Sequence, residues 1–513
     1  MRLFHSIAGL QTYLSRVRQG KRVGLVPTMG ALHPGHLSLI QQAKLANEVV
    51  VVSIFVNPLQ FAPQEDLDQY PRTLDSDRQQ CEAIGVDVIF APTPEALGIQ
   101  GQESAQTLVI PPDELTQNLC GKFRPGHFAG VATIVTKLFN IVQPETAYFG
   151  EKDAQQLAII RRLVADLNFP IEIKACPTQR EESGLALSSR NQYLSDPEKE
   201  LALVLSRSLQ VAQKAFIQGE KQAEGLINQV QQQLALTPEV RVQYIELVHP
   251  QTLTPLTEVT ETGLLAIAAY VGSTRLIDNI LLRNRKPIIA IDGPAGAGKS
   301  TVTRLVAKEL NLLYLDTGAM YRALAWLVRQ SDLPLTDEAG IAELVSQASL
   351  ELVSQAYPQP TLVKINGQDV TEAIRTPEVT SLVSAIAAQK TVRAVLLKAQ
   401  QSYGKTGGLV AEGRDIGTAV FPDAELKIFL TASVQERARR RLADFQAQGQ
   451  TQIRLEDLEK EIASRDQQDS TRAIAPLKKA IDAIEIITDG LSITEVTHQI
   501  IQLYMRFQSN LRR

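Results

Sequence analysis

The chain reads as α/β: two doubly wound parallel sheets in succession, with a smaller α+β lobe between them. Three observations predict this. Short aliphatic runs of strand length alternate with longer amphipathic stretches over residues 22–176. From about 178 to 283 that rhythm gives way to long Gln-, Ala- and Leu-rich stretches and then two apolar runs. At Ile288 a new apolar run leads straight into a glycine-rich turn, and the alternation restarts.

Residues 23–27, 49–56, 86–92, 147–149 and 171–175 read as buried strands, being apolar runs too short for helices. Residues 37–46 and 154–167 read as the helices between them. In the lobe, 196–236 reads as two helices, and 241–248 and 264–271 as strands. The basic stretch 281–287 is too short for a tether, so it joins abutting domains. Residues 288–291 then form a strand and 301–310 a helix. Residues 357–370, with their prolines and an Asn-Gly turn, read as strands. The expected domains are 1–177, 178–283 and 286–513. The 513 residues leave room for about three domains.

Composition narrows the function classes. Apolar (44%) and charged (21%) fractions are ordinary for a globular protein, so no disordered or fibrous class applies. A net charge of −4 argues against an extended nucleic-acid footprint. Cys81, Cys120 and Cys176 are too far apart for zinc spacing or a disulfide framework, so a reducing, cytoplasmic setting is expected. The N-terminal residues lack an apolar segment ending at a small-residue cleavage site. No apolar run reaches 18 residues, so no membrane span is expected.

Two loops carry chemistry. The first, PTMGALHPGH (27–36), follows a strand and opens a helix expected to start near Gly35 or His36. His33 and His36, three apart, can face one phosphate at the helix N-terminus, where backbone N–H groups favour anions. Gly30 and Gly35 let the backbone approach a nucleotide closely. The second, Gly293-Pro294-Ala295-Gly296-Ala297-Gly298-Lys299-Ser300, fits G-x-x-x-x-G-K-[ST] between strand and helix. Its N–H groups should cradle the β-phosphate, Lys299 the β/γ oxygens, and Ser300 a Mg²⁺ ion.

The first half resembles the pantoate–β-alanine ligases of the HxGH nucleotidylyltransferase superfamily. The resemblance spans 1–283 and rests on six blocks in order: PTMGALHPGH (27–36), VSIFVNPLQF (52–61), GKFRPGHFAGVATIVTKLFNIVQP (121–144), YFGEKDAQQL (148–157), GLALSSRNQYL (184–194) and GSTRLIDN (272–279). It implies a Rossmann-like fold with a small C-terminal lobe. It also implies a reaction in which pantoate and ATP give pantoyl adenylate and pyrophosphate, and β-alanine then displaces AMP. By resemblance, Met29, Gly30, Ala31, Leu32, His33, Pro34, Gly35 and His36 contact ATP, with His36 as acid-type donor to the departing phosphates. Gly150, Glu151, Lys152 and Asp153 hold the nucleotide, with Gln179 beside it. Leu187, Ser188, Ser189 and Arg190 form a phosphate clamp, and Gln60 and Gln156 bind pantoate. Ser183 stands where the family usually has an acid. A homodimer through this half is a further implication.

The second half resembles bacterial cytidylate kinases over 286–509, through YLDTGAMYRA (314–323), TVRAVLLKAQQ (391–401), EGRDIGTAVFPDAELKIFLTAS (412–433), ERARRR (436–441) and SRDQQDSTRAIAP (464–476). It implies a P-loop nucleoside monophosphate kinase fold, with a CMP-binding insertion at about 334–400 and a lid at about 434–475. The γ-phosphoryl group of ATP would pass to CMP or dCMP. ATP would be held by 293–300 and Thr301. Arg322, Arg414 and Arg472 would take the CMP phosphate near Thr317, with Lys299 and Arg414 catalytic. Ser384, Arg393 and Asp415 would read cytosine, and Arg465 and Asp469 the ribose. Arg437, Arg439, Arg440 and Arg441 would lie on the lid, and Gln468 replaces a basic residue of some relatives. Alternatives remain at this level: another HxGH enzyme, a UMP/CMP or adenylate kinase, or one inactive half.

Overall fold

The computed structural model describes residues 1–62, 65–99, 106–353, 361–447, 453–471 and 476–512. The chain divides into two compact units, Met1–Asn284 and Arg285–Arg513.

The first unit is built on six parallel strands: β1 (Arg2–Phe4), β2 (Val23–Thr28), β3 (Val49–Ile54), β4 (Val88–Phe90), β5 (Thr146–Gly150) and β6 (Glu172–Cys176). Their spatial order is β1-β4-β3-β2-β5-β6. Connections run one way from β2 and the other way from β5, so the switch point lies between these two strands, where open α/β sheets bind ligands. Val49, Val50, Val51 and Val52 are all buried, as a parallel strand covered on both faces requires. The three-residue β1 is too short to stand out by pattern, and the 86–92 run contracts to β4.

The lobe of this unit has helices Asp196–Ile217 and Ala223–Ala235 over an antiparallel sheet of β7 (Val240–Val248), β8 (Thr262–Val271) and β9 (Thr274–Arg283). Glu198 fixes the first helix start by accepting from the Ser195 N–H at 2.8 Å and its hydroxyl at 2.7 Å. The sequence reading lacked β9, whose ten residues contain the GSTRLIDN motif from Thr274 onward. It is a strand because β8 pairs with it along its whole length.

The second unit has five parallel strands: β10 (Lys286–Asp292), β11 (Leu313–Asp316), β15 (Gly407–Gly413), β16 (Leu426–Thr431) and β17 (Ile484–Ile487), ordered β11-β15-β10-β16-β17. Strand β10 is central, so the glycine-rich loop after it emerges mid-sheet. A small antiparallel sheet, β12 (Leu350–Val353), β13 (Leu362–Ile365) and β14 (Gln368–Asp369), lies between β11 and β15 in the chain. It takes in the strands expected over 357–370, of which 357–360 fall outside the described residues.

Candidate active sites

In the first unit, β2 ends in the loop that carries the histidines. The helix begins at Pro34, one or two residues earlier than the sequence suggested, because proline presets the first helical φ. His33 is therefore the N-cap, and its Nδ1 accepts from the Gly35 N–H at 3.1 Å. That bond leaves the proton on Nε2. Ala31 holds a left-handed φ of 51°, and buried Asp77 stabilises it by accepting from Ala31 N (3.0 Å) and Leu32 N (2.8 Å).

The His33 and His36 rings lie 4.1 Å apart. Burial and then the Lys152 charge lower His33 to about 4. Burial, His33 and Lys152 lower His36 to about 3. Both are thus neutral near pH 7. The buried Nδ1 of His36 has no partner within the protein. Burial likewise lowers the Lys152 ammonium, opposed chiefly by Asp278. Lys152 arrives from the end of β5, across the switch point, and Asn279 of β9 fastens that turn by donating to the Glu151 and Lys152 carbonyls at 3.0 and 2.9 Å.

The serine–arginine loop sits on the histidine loop. Ser188 caps its short helix by accepting from Arg190 N at 3.3 Å, and Ser189 Oγ donates to Ala31 O at 3.3 Å. Arg190 grips Asp66 with two bonds of 3.0 and 2.9 Å. Gln179 is exposed, and its carbonyl accepts from Leu187 N at 2.9 Å, so its backbone oxygen belongs to this loop. Ser183 is exposed.

Gln60 is held in a way the sequence did not reveal. Its amide lies against Met29 Sδ and accepts from Asn57 at 3.3 Å. Its carbonyl accepts from His127 Nδ1 at 2.7 Å, while Arg124 meets His127 Nε2 at 3.0 Å and Glu65 at 2.6 Å. Next to Gln156, Gln155 is buried and donates to the Leu115 and Asn118 carbonyls, so it is structural. Gln156 lies on the half-buried side of the same turn.

In the second unit, Gly293, Gly296 and Gly298 have φ of 149°, 78° and 82°. A Cβ on Gly293 would lie 1.9 Å from Leu430 O, so only glycine fits there. Lys299 Nζ donates to Pro294 O at 2.7 Å. Burial and the Arg414 charge push its ammonium well below the usual value, against Glu412, Asp292 and Asp469. Ser300 and Thr301 are exposed at the loop's end. Ser300 hydrogen-bonds Glu412, which burial and Asp316 push upward and which also accepts from Tyr314. Glu412 was not singled out in the sequence, although it is the last residue but one of β15, the strand beside the P-loop strand.

Most of the residues expected to take the acceptor nucleotide are held by a partner within this unit. Thr317 Oγ1 donates to Glu412 O at 2.6 Å. Arg322 reaches Asp316 at 3.4 Å, and its buried Nε has no partner. Arg414 bonds Asp469 at 2.9 Å and Gly293 O at 3.1 Å. Arg393 and Asp415 form a buried ion pair with each other. Arg465 is lowered by burial and by Arg414, with Asp469 opposing. Ser384 is exposed on helix Pro377–Ala388, with no hydrogen bond to the Arg393–Asp415 pair. Arg472 lies outside the described residues.

The four arginines expected on the lid each have a partner. Arg437 is buried against the Ala295 and Ala432 carbonyls and Asp466, and Arg440 donates to Thr488 O at 2.7 Å. Arg439 pairs with Glu436, and Arg441 with Glu461. Helix Val434–Ala447 follows closely on β16, so its first turn packs beside the P-loop. The i,i+3 spacing then turns Arg437 and Arg440 inward together.

An HxGH loop at the switch point of one sheet and a P-loop at the centre of another define a double nucleotide-using enzyme: a nucleotidyl-transfer unit followed by a phosphoryl-transfer unit. The family model for pantoate-beta-alanine ligase matches residues 2–281, and that for cytidylate kinase matches 289–506. The bifunctional pantoate ligase/cytidylate kinase of Synechocystis sp. is 63% identical over 99% of both chains, and that of Trichormus variabilis 59% identical over 99% of both. A crystal structure of pantothenate synthetase from Thermus thermophilus superposes with a TM-score of 0.52 at 45% identity, covering 55% of this chain and 99% of that one. The chain belongs to the bifunctional pantoate ligase/cytidylate kinases, and it has both activities and uses ATP.

Proposed function

We propose that the first unit activates pantoate at the β2–β5 switch point. The observation that carries this reading is the approach of the His33 and His36 rings to 4.1 Å, within the field of Lys152, in the loop on which Ser189 docks through Ala31 O. A pantoate carboxylate oxygen held by Gln60 and Gln156 attacks the α-phosphorus of ATP, and the bond to pyrophosphate breaks. Neutral His36 and charged Lys152 stabilise the departing oxygens. The β-alanine amine then attacks the acyl carbon, AMP leaves with the bonding pair, and the amine gives up a proton.

In the second unit a CMP phosphate oxygen attacks the γ-phosphorus of ATP, and ADP leaves. Arg322 offers its free Nε to the CMP phosphate, beside Arg414. The Arg393–Asp415 pair presents both a donor and an acceptor to the cytosine edge.

Among the described residues no group of three His, Cys, Asp or Glu is placed to hold a metal ion. A hydroxyl and one carboxylate, with phosphate oxygens completing the shell, suit Mg²⁺, which is seldom caged by protein alone. Exposed Ser300, beside Glu412, fits that role. Mg²⁺ there would neutralise charge on the β/γ-phosphates. The family resemblance also implies a homodimer through the ligase unit, and the low cysteine content suits a cytoplasmic setting. Among the described residues no helix is long and apolar enough to cross a membrane.

A crossed assay tests the reading. His36→Ala should cut pantoate-dependent pyrophosphate release by roughly 10²–10³ and spare CMP phosphorylation. Lys299→Ala should do the reverse. Loss of both activities in either folded variant would refute separate ATP sites.

A further inference from the structure

The last residue of the P-loop strand has a role that the reaction chemistry does not assign. Asp292 is 4% exposed, and its carboxylate accepts two backbone N–H groups from one segment: Ile416 N to Oδ1 and Gly417 N to Oδ2, both at 2.7 Å. The same segment reaches back to the next residue of the loop, where Arg414 donates to Gly293 O at 3.1 Å. Residues 414–417 are thus tied to residues 292–293 at both ends, and Asp415 lies between the ties. Its carboxylate is paired with Arg393.

The local backbone is shaped for this contact. Residues Ile416–Val420 form a single π-type turn, a wide geometry that leaves N–H groups at its start without ordinary helical partners. Asp292 satisfies two of them. A Cβ on Gly417 would lie 3.3 Å from Asp292 Oδ2 and 3.2 Å from Lys427 Cδ, so glycine permits the approach. Asp292 needs no substrate to explain its burial, yet a plain core position would be filled more cheaply by an apolar side chain.

We propose that Asp292 is a positioning residue for acceptor recognition in the kinase. By bonding the backbone on the far side of Asp415, it fixes the direction in which the Arg393–Asp415 pair faces, and it registers that pair to the phosphate loop. The proposal rests on the reading of Arg393 and Asp415 as the base-recognising pair. Both hydrogen bonds of the carboxylate go to the 416–417 backbone, so its loss should fall more on CMP than on ATP.

The test is steady-state kinetics of the full chain with CMP and UMP as acceptors. In Asp292→Asn an amide can accept one of the two N–H groups but sets its NH₂ against the other, leaving a buried donor orphaned. KM for CMP should rise about tenfold or more. KM for ATP should move less than about threefold, and the CMP/UMP ratio of kcat/KM should fall. Gly417→Ala is the second variant: it keeps the carboxylate but wedges the contact apart, and it should show the same split. Fluorescence of Trp326, the single tryptophan and a kinase residue, checks that each variant is folded. Equal rises in both KM values would show a general P-loop defect and overturn the proposal, as would unchanged CMP kinetics in both variants. Asp415→Asn separates the underlying reading. If it leaves the CMP/UMP ratio unchanged while Asp292→Asn still raises KM for CMP alone, base reading by Asp415 is wrong and the positioning acts on the CMP phosphate through Arg414.

Discussion

Ser189 donates its hydroxyl to the main-chain oxygen of Ala31, 3.3 Å away, and thereby docks the serine–arginine loop on the histidine loop. Ala31 is the residue with a left-handed φ of 51°, and Asp77 accepts the N–H groups of Ala31 and Leu32 from the other side. A side chain 46 residues downstream and a loop more than 150 residues downstream therefore set one short stretch of backbone.

The two anchors should be separable by size of effect. Ser189→Ala removes one neutral hydrogen bond and should raise KM for ATP in the ligase reaction by about two- to tenfold. Asp77→Asn leaves a buried N–H facing an amide NH₂, so its effect should be the larger, up to about a hundredfold. CMP phosphorylation by the same chains should be unchanged. A larger effect at Ser189 than at Asp77 would show that Asp77 does not hold the loop.

How far the sequence revealed these sites follows from the range of the interactions. The HxGH and P-loop motifs were legible because their function resides in contiguous backbone. The long helices and the β2, β3 and β10 strands were legible because their apolar runs are local. Asp77, Arg124, His127 and Asn279 were not singled out, since each acts chiefly on residues 45 or more positions away and shows no local pattern. Strand β9 was hidden because its pairing with β8, not its own composition, makes it a strand. The partners of the ERARRR arginines were not legible either: Arg437 joins Asp466 and the Ala295 carbonyl, Arg440 joins Glu436 and the Thr488 carbonyl, and Arg439 and Arg441 pair with Glu436 and Glu461, partners set by how the helix packs and not by the run itself.

The two units should respond differently to mild acid. Burial lowers His33 to about 4, and His36 and His127 to about 3, all in the ligase unit. Unfolded histidine titrates near 6.5. Between about pH 6.5 and 4 the unfolded state thus binds up to three more protons than the folded one. Stability is fully present above 6.5 and falls with acidification, by about 4 kcal/mol per pH unit at the steepest point. The kinase unit has one histidine, exposed His498, while burial pushes its Asp292 up to about 6. That shift has the opposite sign: its cost is complete above about pH 6 and is relieved as pH falls toward 4. Urea melts at pH 7 and 5 should show the ligase midpoint, followed by pulsed hydrogen exchange of peptides from residues 1–284, dropping sharply. The Trp326 midpoint should move much less. Parallel shifts would mean that the three histidines are not buried as neutral groups.

The junction gives the last expectation. Asn284 closes the first unit: its N–H donates to Glu261 O at 2.7 Å and its side chain to Thr260 O at 3.0 Å. Arg285 opens the second, with its guanidinium on Glu425 at 3.1 Å and on Asp423 O at 3.0 Å, while Glu425 also accepts from Ile288 N at 2.8 Å. The chain thus changes allegiance at one peptide bond, and the position of a cut matters to a single residue. Fragments 1–284 and 285–513 should each fold and keep most of their activity, because each buried core cluster is drawn from one unit alone. Starting the kinase at Lys286 instead should remove the Arg285 bonds and leave Glu425 half-satisfied. A hydrogen bond to a charged group contributes roughly 1.5–3 kcal/mol, and the low end applies here because the carboxylates are partly exposed. The 286–513 fragment should therefore melt about 2–6 °C below 285–513. Identical melting temperatures would show that Arg285 contributes nothing to the kinase. Loss of activity in 285–513 that is restored by adding 1–284 would show that the units are not independent.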